Sequence, residues 1–262
     1  MRTKKLHFKN TQGHRLVASL DLPPVAEPLA YALFAHCFTC SRNLNAVARI
    51  SRSLTSHSIA VLRFDFTGLG ESDGDFSETN FSSNVQDLID AARFLEREYL
   101  APRILIGHSL GGSAVLVAAN HIPSCKAVAT IGAPSDPAHV ARTFARDHEK
   151  IERDGVAEVS LAGRSFTIKK QFLDDLQETR MAEAVKNLGR ALLIFHSPVD
   201  ETVAVRHAAN IYAAARHPKS FISLDRADHL LSNEDDSRYV GTVIAAWAEK
   251  YLGSPAQEKH QG

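Results

Sequence analysis

The sequence predicts an α/β domain: a mostly parallel, doubly wound sheet with an N-terminal antiparallel hairpin and an inserted cap. Three observations carry that expectation. Short runs rich in Val, Ile and Leu alternate with stretches of helical periodicity, the rhythm of strand-helix-strand crossovers. Those runs are apolar at successive positions instead of at every second one, as in strands covered on both faces. The chain has 262 residues, 44% of them hydrophobic and 23% charged, which suits one large domain carrying an insertion better than two independent domains.

In chain order, LHFKN, a turn at 11–14 and LVASLDL read as the hairpin, with Pro23, Pro24 and Pro28 marking its exit. Strands are expected at 30–37 (AYALFAHC), 59–66 (IAVLRFDF), 103–107 (RILIG), 126–132 (KAVATIG), 191–196 (ALLIFH) and 219–224 (KSFISL). Helical spacing appears over 44–57 through Leu44, Val47, Ile50 and Leu54, and over 84–99 through Val85, Leu88, Ala91, Ala92 and Leu95. A further helix opens near Leu110, another covers 202–215 with Val205, Ala209 and Tyr212, and a last one, 238–252, carries the only tryptophan, Trp247. The interval 135–190 is too long for an ordinary crossover. It reads as a charged helical stretch, a hairpin turning at Ala162 and Gly163, and a second helical stretch. The expected organisation is a core over 1–134 and 191–252, a cap over 135–190 at the carboxyl edge of the sheet, and a tail or linker over 253–262.

Thirty basic residues balance thirty acidic ones, with the two signs interspersed. This argues against nucleic acid or a membrane as partner. The start MRTKKLHFKN has no apolar stretch behind it, and no run approaches the roughly 18 apolar residues of a membrane span. A soluble, cytoplasmic protein is expected. Three cysteines (Cys37, Cys40, Cys125) are an odd, sparse set for a disulfide scaffold, which favours a reducing compartment. No two of the thirteen histidines lie three or four positions apart, so helical metal-ligand spacing is missing and no metal or cofactor is expected.

The pattern G-x-S-x-G occurs at 107–111 and at 70–74. Around the first, RILIGHSLGGSAVLVAAN reads as strand, sharp turn and helix, the context that presents a serine nucleophile on a strained turn. The second runs from FDF into polar loop residues, so Ser72 is expected in a glycine-rich loop near the site. A serine needs a base, and the base an orienting acid. In strand-turn-helix folds of this kind the three follow in the order serine, acid, histidine, each just past a strand. Ser109, Asp200 at the end of ALLIFHSPVD and His229 after SFISLDRAD satisfy that order. Asp136, past the preceding strand, is a rival acid, whereas Asp225 and Asp228 lie too close to His229 along the chain to orient its ring. His108, beside the nucleophile, is expected to be structural.

The oxyanion of a tetrahedral intermediate needs N–H donors. One is expected from Leu110, after the serine, and the other from Phe38 in the loop AHCFTC. His36 is expected to fix that loop by hydrogen bonding. Cys37 stands where glycine is usual, which weighs against a positive φ there. The C-x-x-C pair also admits a dithiol oxidoreductase reading. That reading predicts that replacing both cysteines by serine abolishes activity, whereas a serine hydrolase should keep most of it. Phe144, Phe166, Phe172 and Leu173 either line an acyl pocket or form the cap's own small core.

The stretches AHCFTCSRN, VLRFDFTGLGESDGDFSETNFSSNVQDL, GHSLGG, IGAPSDPAHV, FTIKKQFLDDL, HPKSFISLD and ADHLLS closely resemble the hydrolase half of bacterial proteins in which an α/β hydrolase is fused to an OsmC-type (osmotically inducible, thiol peroxidase-like) domain. GHSLGG alone marks only the α/β hydrolase superfamily; the longer stretches are more particular. The resemblance implies the α/β-hydrolase fold, a triad of Ser109, Asp200 and His229, and hydrolysis of ester-like bonds. No OsmC-type domain follows the tail in these 262 residues, so the domain either stands alone or is a fragment of a longer fusion, and an OsmC-like domain or a second copy of the chain is an open expectation as partner. Thioesterase, acyltransferase and perhydrolase chemistry with the same three residues, or a non-catalytic module binding an OsmC-like partner, remain alternatives. A histidine base must be neutral, so activity is expected to fall below about pH 6 to 7.

Overall fold

The computed structural model describes residues 1–161 and 163–253. The N-terminal hairpin consists of β1 (Arg2–Lys9) and β2 (Arg15–Leu22), paired antiparallel with Leu6 opposite Ala18. β2 also pairs antiparallel with β4 (Ile59–Phe64), which joins the hairpin to the sheet. The remaining strands, β3 (Ala30–Ala35), β5 (Ile104–His108), β6 (Ala127–Ile131), β9 (Ala191–His196) and β10 (Lys219–Ser223), run parallel to β4 and to one another. The eight strands lie in the order β1-β2-β4-β3-β5-β6-β9-β10. From β3 the chain winds first outward to β4 and then back past it to β5. The strand order therefore reverses between β3 and β5, and at such a switch point the loops at the carboxyl ends part and leave a crevice.

Both faces of the sheet are covered, which explains the uninterrupted apolar runs. On β3, Phe34 packs with Val47, Ile50 and Leu54 of α1 (Asn45–Ser56) and with Val240 and Ile244 of α8 (Glu234–Leu252). Its neighbour Leu33 packs on the opposite side with Leu88 and Leu95 of α2 (Phe81–Glu98) and Val115 of α3 (Leu110–Ala118). Successive strand residues point to opposite faces, so a central strand needs apolar side chains at every position.

Helix starts follow side-chain capping more closely than apolar periodicity. α2 begins at Phe81, ahead of the expected 84, because the Asn80 side chain accepts from Ser83 N at 2.7 Å while Ser83 Oγ accepts from Asn80 N at 2.9 Å. α8 begins at Glu234 instead of 238, where Asn233 caps it. α7 (Arg206–Ala214) begins later than the expected 202, because Asp200 already holds the amides of Thr202 and Val203.

The 135–190 interval contains a 3-10 segment (Pro137–Asp147), α4 (His148–Asp154), the antiparallel pair β7 (Val156–Leu161) and β8 (Arg164–Lys169), α5 (Lys170–Glu178) and α6 (Met181–Lys186). Of the expected hairpin turn, Ala162 lies outside the described residues, as does 254–262 of the expected tail. Val140, Ile151, Phe172 and Leu176 bury their side chains in one continuous cluster with Leu88 and Leu110 of the sheet's helices. Among the described residues no helix is long and apolar enough to cross a membrane, and no group of three or more His, Cys, Asp or Glu is arranged to hold a metal ion.

Candidate active site

Ser109 stands between the last residue of β5 and the first of α3, at φ 55° and ψ −127°. Left-handed φ is uncommon for a residue with a side chain and persists only where the surroundings impose it. Here Ser109 N donates to Ile131 O at 2.8 Å and Ser109 O accepts from Gly112 N at 2.8 Å, so both sides of the turn are held. The two outer glycines of the motif have steric reasons. A Cβ on Gly107 would collide with the backbone of Gly111, and one on Gly111 with the carbonyl of His36.

His229 lies in the loop after β10 and Asp200 in the loop after β9, and both side chains reach the turn. His229 Nε2 is 2.9 Å from Ser109 Oγ, and His229 Nδ1 is 2.7 Å from Asp200 Oδ2. A carboxylate only accepts, so Nδ1 carries the proton and donates to Asp200, leaving the Nε2 lone pair to accept from the serine hydroxyl. Asp200 Oδ1 accepts from Thr202 N at 2.9 Å and Val203 N at 2.8 Å. Burial alone would raise the Asp200 carboxyl. The His229 ring and the two amides outweigh it and hold the group below its ordinary range, as an anion.

Three further histidines, each at or just past the carboxyl end of a strand, tie the loops of this site. His36 Nδ1 donates to Cys37 O at 2.8 Å, His108 Nε2 to His229 O at 2.6 Å, and His196 Nε2 to Val203 O at 2.7 Å. The opposite ring nitrogens, His36 Nε2, His108 Nδ1 and His196 Nδ1, are buried and have no partner among the described residues. Burial accordingly lowers all three, His108 to about 4, so the rings are neutral props. Sequence reasoning reached the roles of His36 and His108 but missed His196, whose only signal is its place where β9 ends.

The loop after β3 departs from expectation in its sulfurs and agrees with it in the backbone of Cys37, which has no positive φ. Cys37 and Cys40 are joined by a disulfide, where the sequence was read as a sparse set of thiols in a reducing compartment. Three positions apart in a tight turn, the two side chains meet across it, and Cys40 N donates to Cys37 O at 3.1 Å. The positive φ falls on Thr39, at 60°, and not on Cys37. Phe38 packs between Phe76 and Phe172, with ring centroids at 5.8 and 5.4 Å. Leu110 N is among the amides that a helix start leaves without an intrahelical partner. Neither it nor Phe38 N finds a backbone acceptor among the described residues.

A cavity of about 380 Å³ opens over Ser109 and His229, lined also by Phe38, Leu110, Val140 and Leu161. Phe144, Phe166, Phe172 and Leu173 do not line it; all four are buried in the cluster that runs on into the sheet's helices, so they form neither an acyl pocket nor a separate small core of the cap. Asp136 is exposed and caps the 3-10 segment by accepting from Ala138 N at 2.9 Å. Ser72 is bound on both sides, donating to Asp65 O at 2.6 Å and accepting from Val17 N at 2.9 Å. It braces the loop beneath the buried Arg42–Asp65 ion pair.

Comparison with protein families matches residues 32–257 to the Alpha/beta hydrolase family. Among solved structures the chain is similar to the esterase domain of a Rhodothermus marinus protein, at 51% identity over 97% of this chain and 100% of that one, with a TM-score of 0.78. It is 25% identical over 201 residues to the uncharacterized protein YfhR of Salmonella typhimurium, covering 77% of this chain and 65% of that protein. It is also 26% identical over 174 residues to the mitochondrial palmitoyl-protein thioesterase ABHD10 of Rattus norvegicus, covering 66% of this chain and 55% of that protein. The chain thus spans less than two thirds of the length of these curated relatives.

Proposed function

Since the chain belongs to the Alpha/beta hydrolase family, we propose that it is a serine hydrolase cleaving small acyl esters through Ser109, His229 and Asp200. The observation that carries this reading is the unbroken hydrogen-bond line from Ser109 Oγ through both nitrogens of His229 to Asp200 Oδ2. The 51% identical solved structure described as an esterase domain supports the choice of bond.

In the proposed reaction Ser109 Oγ attacks the acyl carbon while its proton passes to His229 Nε2. The resulting imidazolium is held by the Asp200 anion, which is already in hydrogen-bond contact with Nδ1. The N–H groups of Phe38 and Leu110 donate to the oxyanion, a contribution of roughly 10²–10³ in kcat for each donor in comparable sites. Collapse of the intermediate expels the alcohol, which takes the proton from His229, and water repeats the sequence on the acyl-enzyme. The cavity of about 380 Å³ lies toward the small end of ligand pockets and favours short acyl chains.

A thioester in place of an ester fits the same machinery, and the name of the ABHD10 relative favours testing it. An OsmC-like domain as partner rests on sequence resemblance alone and is proposed on that ground. A fluorophosphonate probe distinguishes an enzyme from a binding module. Wild type should be labelled and Ser109→Ala should not, with ester turnover falling on the order of 10⁴-fold or more in the variant. Absence of labelling in the folded wild type would return the protein to the binding-module class.

A further inference from the structure

The disulfide between Cys37 and Cys40 plays no part in the proposed hydrolysis, yet both residues line the cavity that holds Ser109 and His229. The bond closes a four-residue ring with Phe38 and Thr39 between the sulfurs. Cys37 is buried, whereas Cys40 is half-buried on the cavity wall. We propose that this disulfide is a site of exchange with a small thiol or dithiol entering through the substrate cavity, and that opening it lowers turnover by unpinning the Phe38 amide. The proposal rests on the reading of Phe38 N–H as an oxyanion donor.

The ring is held on its Cys37 side by His36 Nδ1 and Cys40 N, which both donate to Cys37 O at 2.8 and 3.1 Å. On the Thr39 side, among the described residues, only Arg164 Nη1 reaches the backbone, at 3.3 Å to Thr39 O. Thr39 sits at φ 60°, a conformation that a β-branched residue keeps only under constraint. With the sulfurs parted, Thr39 is free to return to negative φ. That rotation turns the Phe38–Thr39 peptide and displaces Phe38 with it. The Phe38 ring remains packed on Phe76 and Phe172, so the cavity wall survives while the aim of the amide is lost.

In the exchange, the incoming thiolate attacks Cys40 Sγ. The sulfur-sulfur bond breaks with its electron pair on Cys37 Sγ, which takes a proton from water. The second thiol of a dithiol then attacks its own mixed disulfide, closing a cyclic disulfide and releasing Cys40 as a thiolate that is likewise protonated. The protein gains two electrons and two protons, and the dithiol loses them. Cys125 stays outside this chemistry: it is fully buried, and that burial pushes its thiol up to about 12.

The test compares the whole protein in oxidised and reduced dithiothreitol, with the state of the two cysteines read by alkylation and mass spectrometry. Reduction is expected to lower kcat on a p-nitrophenyl ester about tenfold, less than complete loss of a donor would, with KM changed less than about twofold and full recovery on reoxidation. The Cys37→Ser/Cys40→Ser variant should show the reduced-form kcat and no response to dithiothreitol, a larger loss than the sequence alone led one to expect of a hydrolase, because the closed ring now bears on the Phe38 amide. A fluorophosphonate adduct on Ser109, which fills the cavity, should slow reduction of the disulfide; an unchanged rate would refute entry through the cavity. If the probe labels Ser109 and kcat is equal in the two verified redox forms, the coupling is wrong and the hydrolase reading stands. If Ser109 reacts in neither form, the hydrolase reading fails and the coupling falls with it.

Discussion

Asp200 divides its two oxygens between two tasks: Oδ2 faces His229 Nδ1, and Oδ1 holds the amides of Thr202 and Val203. Asn at this position keeps the shape, but an amide NH2 turned toward His229 would force the ring into the tautomer with its proton on Nε2, unable to accept from Ser109. Asp200→Asn is therefore expected to lower kcat about 10⁴-fold with an unchanged far-ultraviolet spectrum; a loss under tenfold would remove Asp200 from the orienting role. At this scale the sequence was informative wherever a polar residue ends an apolar run, since a strand's carboxyl end is where side chains leave the core. That is how Ser109, Asp200 and His229 stand out. His196 ends β9 in the same way but carries no motif, and its contact with Val203 O depends on how the loop folds back over it. The Cys37–Cys40 bond was equally hidden, because C-x-x-C spacing is compatible with a thiol pair, a metal site or a closed ring.

Among the elements, the six parallel strands lie where their apolar runs predict, while helix ends shift by up to four residues. Periodicity reports the buried face of a helix, but its start depends on a cap. The capping pair Asn80–Ser83 lacks the Glu or Gln that would have announced it. The 135–190 interval was legible only in part. Its aromatic residues were visible, but which side chains meet the cavity depends on the turn of each element: the structure puts Val140 and Leu161 there, and none of the four residues for which an acyl pocket or a cap core had both been open. Leu161, at the end of β7, is 6% exposed and faces a small space. Leu161→Trp should lower kcat/KM for octanoyl relative to acetyl esters by about tenfold or more, since even one methylene is worth roughly that in a close-fitting pocket. Equal losses on a chain-length series from acetyl to octanoyl would place the acyl chain elsewhere.

Over the whole molecule, buried histidines link stability to pH. Burial lowers His36, His108, His196 and His207 below the ordinary value, with His108 and His207 brought to about 4. Between that value and about 6.5 the unfolded chain takes up protons that the folded one refuses, so stability is complete above about pH 6.5 and is lost as pH falls toward 4. His108 alone corresponds to about 3 kcal/mol over that window, or roughly 6–12 °C in Tm. Asp87, raised by burial, acts in the opposite sense, and Asp200, held low, loses its contribution only at more acid pH. Thermal melts at pH 7, 5.5 and 4.5 should show a progressive fall in Tm; a flat profile would mean that these rings accept protons without leaving the fold.

The sequence by itself determined the α/β architecture and the order of its chemical groups. Both are written locally, in the apolar runs that become buried strands and in the polar residues that end them. Only the tertiary structure decided the partners: which loop carbonyl each histidine holds, that two cysteines close a ring, and which side chains face the cavity. Those outcomes depend on distances between segments far apart along the chain, such as His108 and His229, 121 positions from one another. Such distances follow from how the sheet reverses its strand order and how its loops pack, information that no single stretch of the chain contains.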